Sequence, residues 1–372
     1  MSTADESPLA PYDAVLLLSF GGPEAPEEVM PFLRTVTAGR GIPDERLESV
    51  AEHYHHFGGR SPINDQNRAL LAALRAELDR REVGTRVLWG NRNSAPFVTD
   101  ALRQAHEQGV RRVVTIVTSA YSSYSSCRQY REDLAAALQT LQDEGRDLVI
   151  DKIRPYPNHP AFTRTNTRLV TDAARAALRD TEADRLRLAY VTHSIPVGMD
   201  DTSGPGDSEG NAYQRQHAQL AAAITDEVAA TLGVELRDQL VYCSRSGPPS
   251  QPWLEPDVGD HLRELAAEGA QTVVLAPIGF VSDHMEVRYD LDTEAQEVAD
   301  ELGLRLVRVP TVGTDTEFVS GLVDLVEERA AQARGEDVTG PAWPDPHPLP
   351  AVCPAGCCPN LRTPRPALCG MD

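Results

Sequence analysis

Eight short apolar runs fix the architecture open to this chain. They span Ala14 to Ser19, Arg86 to Gly90, Arg112 to Thr118, Leu148 to Ile153, Leu186 to Thr192, Gln239 to Ser244, Thr272 to Ile278 and Arg305 to Pro310. Each is nearly continuous in aliphatic and β-branched residues rather than alternating, which is the signature of parallel strands buried on both faces. Between them lie amphipathic stretches with apolar residues at helical spacing, at Asn67 to Arg81, Glu132 to Asp143, Asp172 to Arg179 and Ala218 to Leu232. Strand and helix in alternation make the class α/β. Eight strands divide into four and four, with Pro155, Pro157 and Pro160 breaking regular structure at the switch. The pattern predicts two doubly wound, Rossmann-like lobes with four-stranded parallel sheets, over residues 12–160 and 161–333.

Beyond Arg334 the periodicity stops. The segment 334–372 is rich in proline, glycine and cysteine and cannot build a core of its own. It holds Cys353, Cys357, Cys358 and Cys369, whereas the body holds only Cys127 and Cys243. In a reducing compartment such a cluster reads as metal or iron-sulfur ligation before it reads as disulfides. The spacing C-x3-C-C-x10-C leaves open which four thiolates act together, and zinc is the alternative although no C-x2-C pair is present. Cys243, inside a strand run, reads as a small core residue.

A net charge of -21 repels phosphate backbones and anionic lipid, so nucleic acid is not expected as a partner. No apolar run approaches the ~20 residues of a membrane span and the first residues lack a cationic-then-apolar signal pattern, so the expectation is a cytoplasmic protein without stable membrane insertion.

In open α/β sheets ligands bind beyond the carboxyl ends of strands. The unusual residues of this chain fall there: Ser19-Phe20-Gly21-Gly22-Pro23, Ser119-Ala120-Tyr121, His193-Ser194-Ile195-Pro196, Ser246-Gly247-Pro248-Pro249, and Phe280 through Glu286. Five such loops predict one large, flat pocket. Glu286, Asp290 and Glu294 are spaced i, i+4, i+8, which on a helix makes one carboxylate row. That row is a solvated face or, beside Asp283 and His284, a path for a hydrated divalent cation.

In order, the segments LLLSFGGP, HYHHFGGRSPIN, TSAYSSYSSCRQYRED, VTHSIP, SRSGPPSQPWLEP and PIGFVSDHMEVRYDLDTEA resemble those of ferrochelatases, over about Val15 to Val312. The acidic composition and cysteine tail are similar to the actinobacterial branch, whose enzymes metallate coproporphyrin III. The resemblance implies a chelatase-like fold and a lyase of heme biosynthesis that inserts Fe²⁺, its substrate, into a porphyrin. It places His193 at the porphyrin centre, where position alone would suggest a histidine satisfied by backbone. Glu286 becomes the metal-facing carboxylate, with Asp290 and Glu294 in iron delivery. Ser61, Tyr130 and Arg40 are carried over as porphyrin or propionate contacts. Phe20 stands where some relatives carry a ligating tyrosine and so can only pack on the macrocycle. Some members hold a [2Fe-2S] cluster, which implies that four of Cys127, Cys353, Cys357, Cys358 and Cys369 do so here.

The expected partners are thus porphyrin and ferrous iron, with transient contact with neighbouring heme-pathway enzymes, in a monomer. Three rivals remain at this point: a protoporphyrin IX ferrochelatase, another tetrapyrrole chelatase of the same fold, and a tetrapyrrole carrier without chemistry.

Overall fold

A computed structural model describes residues 7–205, 210–247 and 250–368. All eight expected strands are present: β1 (Ala14–Ser19), β2 (Arg86–Asn91), β3 (Arg112–Val117), β4 (Val149–Lys152), β5 (Leu186–His193), β6 (Arg237–Cys243), β7 (Thr272–Ala276) and β8 (Arg305–Arg308). They form two four-stranded sheets of order β2-β1-β3-β4 and β6-β5-β7-β8, every pairing parallel. The second order repeats the first, so the two lobes share one topology.

The helices are α1 (Val29–Val36), α2 (Asp44–His56), α3 (Ile63–Arg80), α4 (Val98–Glu107), α5 (Gln129–Asp143), α6 (Pro160–Ala177), α7 (Val197–Asp201), α8 (Ala212–Leu232), α9 (Val258–Ala267), α10 (Ala295–Leu302) and α11 (Thr316–Ala333). Side chains alternate across each sheet, which sorts the core into layers. From β1, Ala14, Leu16 and Leu18 pack with Leu102 of α4 and Leu134 of α5. Val15 and Leu17 face the opposite way, toward Leu70 and Leu74 of α3. In the second lobe Leu188 and Tyr190 of β5 meet Val170 of α6 and Ile224 of α8, while Ala189 and Val191 meet Leu262 of α9 and Ala299 of α10.

Two differences from the sequence reading have clear causes. The helix expected at Asp172 to Arg179 begins at Pro160, inside the stretch read as broken. Pro160 occupies the first helical position, where a missing N–H costs nothing, and the Nδ1 of His159 caps the Ala161 N–H at 3.3 Å. The last helix, α11, returns across the junction. Arg81 after α3 pairs with Asp324 and Glu327 at 2.8 and 3.0 Å, and Arg329 pairs with Asp151 at 2.6 Å. One apolar core therefore runs through both lobes.

Candidate functional site

His193 is the last residue of β5, so the strand delivers its imidazole to the carboxyl edge of the second sheet. Its Nε2 lies 3.4 Å from Oε2 of Glu286, and its Nδ1 meets the Ser194 carbonyl oxygen. His284 Nδ1 stands 3.7 Å from the same Glu286 oxygen. Desolvation opposes protonation of His193, but the charge and hydrogen bond of Glu286, with the Ser194 carbonyl, outweigh it and raise the imidazole to about 8. Desolvation likewise opposes the charge of Glu286, yet His193, then His284 and His53, hold its carboxyl down at about 2. The pair is an imidazolium and a carboxylate near neutrality.

The other carboxylates follow from a backbone irregularity. Val287–Glu294 is a π-helix rather than the α-helix assumed from sequence. Its i→i+5 bonds widen each turn, a feature frequent at functional sites. Glu286 and Asp290 still share one face. Asp290 accepts a hydrogen bond from the Ser244 hydroxyl. Burial pushes its carboxyl up to about 7, reinforced by the charges of Glu286 and Glu294. Glu294 is also raised, by burial and then by Asp257 and Glu297. Asp283, by contrast, is held by Arg308 at 2.7 Å and takes no part in the row.

The first lobe supplies an aromatic wall. Phe20, 38% exposed, meets Phe32 of α1 edge to face at 6.1 Å, and Phe32 meets Tyr54 of α2 at 6.0 Å. Phe32 and Tyr54 pack in one cluster with Met285, next to Glu286. His53 stacks on Tyr289 at 3.8 Å, which ties α2 of the first lobe to the carboxylate helix of the second. Tyr130 is buried at the start of α5 beneath the guanidinium of Arg92, whose centre lies 4.4 Å from the phenol ring and 5.7 Å from the Phe20 ring. Arg92 is neutralised by Asp133. Ser61 is buried under the first loop, its N–H bonded to the Pro23 carbonyl at 2.9 Å and its side chain against Gly22, so it shapes that loop from below. Arg40 is exposed on the loop between α1 and α2.

Sequence reading missed the support behind His193. The Nδ1–H of His217 donates to the Tyr213 carbonyl oxygen (2.7 Å), which leaves its Nε2 to accept from the Thr192 hydroxyl (2.9 Å). The Tyr213 hydroxyl then donates toward the His193 carbonyl at 2.9 Å. His217 also stacks on Tyr121 at 3.5 Å, and the Tyr121 hydroxyl donates to the Ile278 carbonyl at 2.8 Å. Arg92 was missed as well. Nothing in its immediate sequence separates it from a solvated arginine.

Cys127, Cys353, Cys357 and Cys358 are all buried, and the three tail cysteines form a small cluster of their own. Cys127 is hydrogen-bonded to Cys353, and Cys357 bonds both Cys353 and Cys358, the latter at 3.8 Å. The Cys353 contact, then the charges of Lys152 and Arg131, lower the Cys127 thiol to about 6 against the opposing effect of burial. Cys369 lies outside the described residues. Among the described residues no three His, Cys, Asp or Glu side chains are set to hold a metal ion by themselves. A separate cavity of about 530 Å³, lined by Gln66, Asp283 and residues 311–316, lies beside α3 and contains none of these groups.

The ferrochelatase family model matches residues 12–330, which covers both lobes and every cleft residue above. The chain belongs to the ferrochelatase family. It is 53% identical to the coproporphyrin III ferrochelatase of Streptomyces coelicolor, over 98% of this chain and 97% of that one. The coproporphyrin III ferrochelatase of Leifsonia xyli is 50% identical over 97% of this chain and 94% of its own. That of Mycolicibacterium smegmatis is 47% identical over 89% and 93%. Within this ferrochelatase-family chain the cleft groups thus lie inside the matched region, whereas the cysteine tail lies beyond its end at residue 330.

Proposed function

We propose that the protein is a coproporphyrin III ferrochelatase, a lyase-class enzyme of heme biosynthesis that inserts Fe²⁺ and releases two protons. The observation that carries this is the pairing of His193 with Glu286 at 3.4 Å at the end of β5, facing an aromatic wall built around Phe20. Four pyrrole nitrogens surround the iron in the product, so the protein needs to offer only one or two ligands of its own. A site that held the cation with three would compete with the porphyrin.

The geometry suggests the following sequence. The porphyrin lies against Phe20 and the Arg92–Tyr130 wall, and contacts to its periphery hold it bent, at a strain of about 1 to 5 kcal/mol drawn from binding energy. Hydrated Fe²⁺ approaches along Glu294 and Asp290 to Glu286, through oxygen donors suited to a cation that must be released again. Asp290, poised near neutrality, exchanges its proton readily. The cation's charge beside Glu286 weakens that carboxylate's hold on the His193 proton, which passes to water; the neutral imidazole then takes one pyrrole proton as the metal enters, and the second leaves to water.

Four of the five cysteines Cys127, Cys353, Cys357, Cys358 and Cys369 hold a [2Fe-2S] cluster in this reading. What supports it is that the buried thiols touch one another beside the cations Lys152 and Arg131, which favour thiolates at Cys127 and Cys357; the bond to Cys357 and burial push the Cys358 thiol up, and the described cysteines are not arranged around a metal position as they stand. Such a cluster supplies one-electron chemistry and a covalent staple when bound. Iron and acid-labile sulfide in equal amounts are expected in the isolated protein, and stoichiometric zinc without sulfide would replace this assignment. Cys243, a free thiol within β6, suits the cytoplasm, and each chain carries both walls of the site, so a monomer suffices. Lobes 12–160 and 161–333 and tail 334–372 are the corresponding functional units.

The decisive experiment is anaerobic turnover of ferrous iron and coproporphyrin III. Many product molecules per enzyme support the reading. Binding of one porphyrin per chain without metallation would instead make the protein a carrier.

A further inference from the structure

The strand that delivers His193 outruns its neighbour on one side. β5 pairs with β6 as far as His193, but with β7 only as far as Tyr190. Pro277 follows β7 directly and has no N–H, and the N–H groups of Ile278 and Phe280 turn back to the carbonyls of Ala276 and Pro277, at 2.9 and 3.2 Å. The Gly279 N–H still reaches the Val191 carbonyl at 3.1 Å. Carbonyls two residues apart point to the same side of a strand, so that of His193 faces the edge where β7 has ended. A carbonyl drawn away from water there needs a donor from outside the sheet.

Tyr213, at the start of α8, is that donor: its hydroxyl lies 2.9 Å from the His193 carbonyl oxygen. A closed circuit of buried groups fixes the hydroxyl. It stands 2.7 Å from Thr192 Oγ1, the Thr192 hydroxyl donates to His217 Nε2 at 2.9 Å, and the His217 Nδ1–H returns to the carbonyl of Tyr213 itself at 2.7 Å. Because the Thr192 proton goes to His217, the one phenolic proton serves both Thr192 Oγ1 and the His193 carbonyl. The Tyr213 N–H donates to Ser203 Oγ at 2.9 Å, so the backbone of the tyrosine is held as well as its tip.

The other end of the same peptide unit is also tied, for the Ser194 N–H donates to the Cys243 carbonyl at 2.8 Å. The next carbonyl, that of Ser194, accepts the Nδ1–H of His193 and so turns Nε2 toward Glu286. The aim of the imidazole therefore depends on a peptide pinned at both ends, and one of the two pins is a phenol.

We propose that Tyr213 is a positioning residue for metallation: its hydroxyl, by holding the His193–Ser194 peptide, keeps the imidazole aimed at the ring centre. The inference rests on the proposed function, which makes His193 the group that works on the porphyrin. Tyr213 acts through His193 and has no separate part in binding porphyrin or iron.

The test uses full-length Tyr213→Phe, His193→Ala, the protein carrying both changes, and Tyr190→Phe. Tyr190 lies on the same strand with its hydroxyl 2.9 Å from Thr225 in the core, so Tyr190→Phe removes an equally buried phenolic hydroxyl away from the site. Anaerobic rates with ferrous iron and coproporphyrin III, with enzyme in excess where turnover is slow, are set beside porphyrin fluorescence quenching and melting temperature. Both tyrosine changes are expected to lower the melting temperature by a few degrees, since each leaves a buried partner unmade. Tyr213→Phe is expected to lower kcat about 10- to 100-fold with KM and Kd for the porphyrin within twofold, as misdirection of a reacting group does. Tyr190→Phe should keep kcat within twofold of wild type. In the His193→Ala background Tyr213→Phe should cause no further loss, because the group it positions is gone. Wild-type kcat in Tyr213→Phe beside an inactive His193→Ala overturns this inference alone, as does an equal loss in Tyr190→Phe or the same further loss when His193 is already alanine. A fully active His193→Ala protein overturns the proposed site and this inference with it.

Discussion

Replacing His193 by alanine separates a residue that works on substrate from one that holds the fold. Its partners within the protein are few: Glu286 at 3.4 Å and the Ser194 carbonyl. The imidazole is raised to about 8, so its bond to Glu286 contributes stability that is fully present below the unfolded value near 6.5 and is lost as pH rises through 8. At pH 7 the shift corresponds to about 1 kcal/mol, and solvent screening of the half-exposed Glu286 reduces that further. A protein of this size should therefore melt within about 2 °C of wild type. Metallation has no such tolerance. Removal of a group that accepts a proton in the rate-setting step should lower kcat by about 10² to 10⁴. Porphyrin affinity should stay within a few-fold, because Phe20, Arg92 and Tyr130 remain in place. Initial rate, fluorescence quenching and melting temperature on one preparation decide the matter. Substantial turnover in a folded His193→Ala protein would refute the assignment, and so would a destabilised protein whose surviving fraction is fully active.

Three further outcomes follow from the same geometry. Glu294→Gln should raise KM for iron several-fold with kcat little changed, since this carboxylate lies at the outer end of the row; equal losses in the constants for both substrates would argue against an iron path. Buried His217 and His159 are depressed to about 3 and about 4, so between those values and 6.5 the unfolded chain binds protons that the folded one refuses. These two histidines by themselves should withdraw about 3 to 4 kcal/mol from pH 7 to pH 5, a loss that the raised Asp290 and His193 largely offset, and denaturant titrations showing His217→Gln with an unaltered slope against pH would contradict this. Gly279→Ala should destabilise by about 1 to 3 kcal/mol and slow metallation, because the new methyl would lie 2.2 Å from Thr192 Oγ1, directly behind His193; a variant of wild-type melting temperature and rate would show the contact to be soft.

How much was legible depended on whether a residue's role leaves a mark in its own neighbourhood. The strands did, because Val15 to Leu18 or Leu188 to Val191 are buried on both faces and so read as unbroken apolar runs. His193 and Glu286 could be placed at strand ends, and the structure brings them together. The start of α6 was hidden because Pro160 is a breaker in most contexts and a favourable first residue in this one. The π-helix at Val287–Glu294 has no composition of its own, so the carboxylate row had to be drawn on an ideal α-helix. Arg92 and His217 depend wholly on partners brought in by the fold, Tyr130 and Asp133 for one, Thr192 and Tyr121 for the other.

The central claim is that this cleft metallates a porphyrin whose edge is ringed by propionates. Its most direct test is anaerobic initial-rate measurement on coproporphyrin III and protoporphyrin IX side by side, at equal ferrous iron. The account predicts multiple turnovers, with kcat/KM at least about tenfold higher for coproporphyrin III, as one additional charge-assisted carboxylate contact would give. Equal or greater efficiency with protoporphyrin IX, or tight binding of either porphyrin without metal insertion, would contradict it.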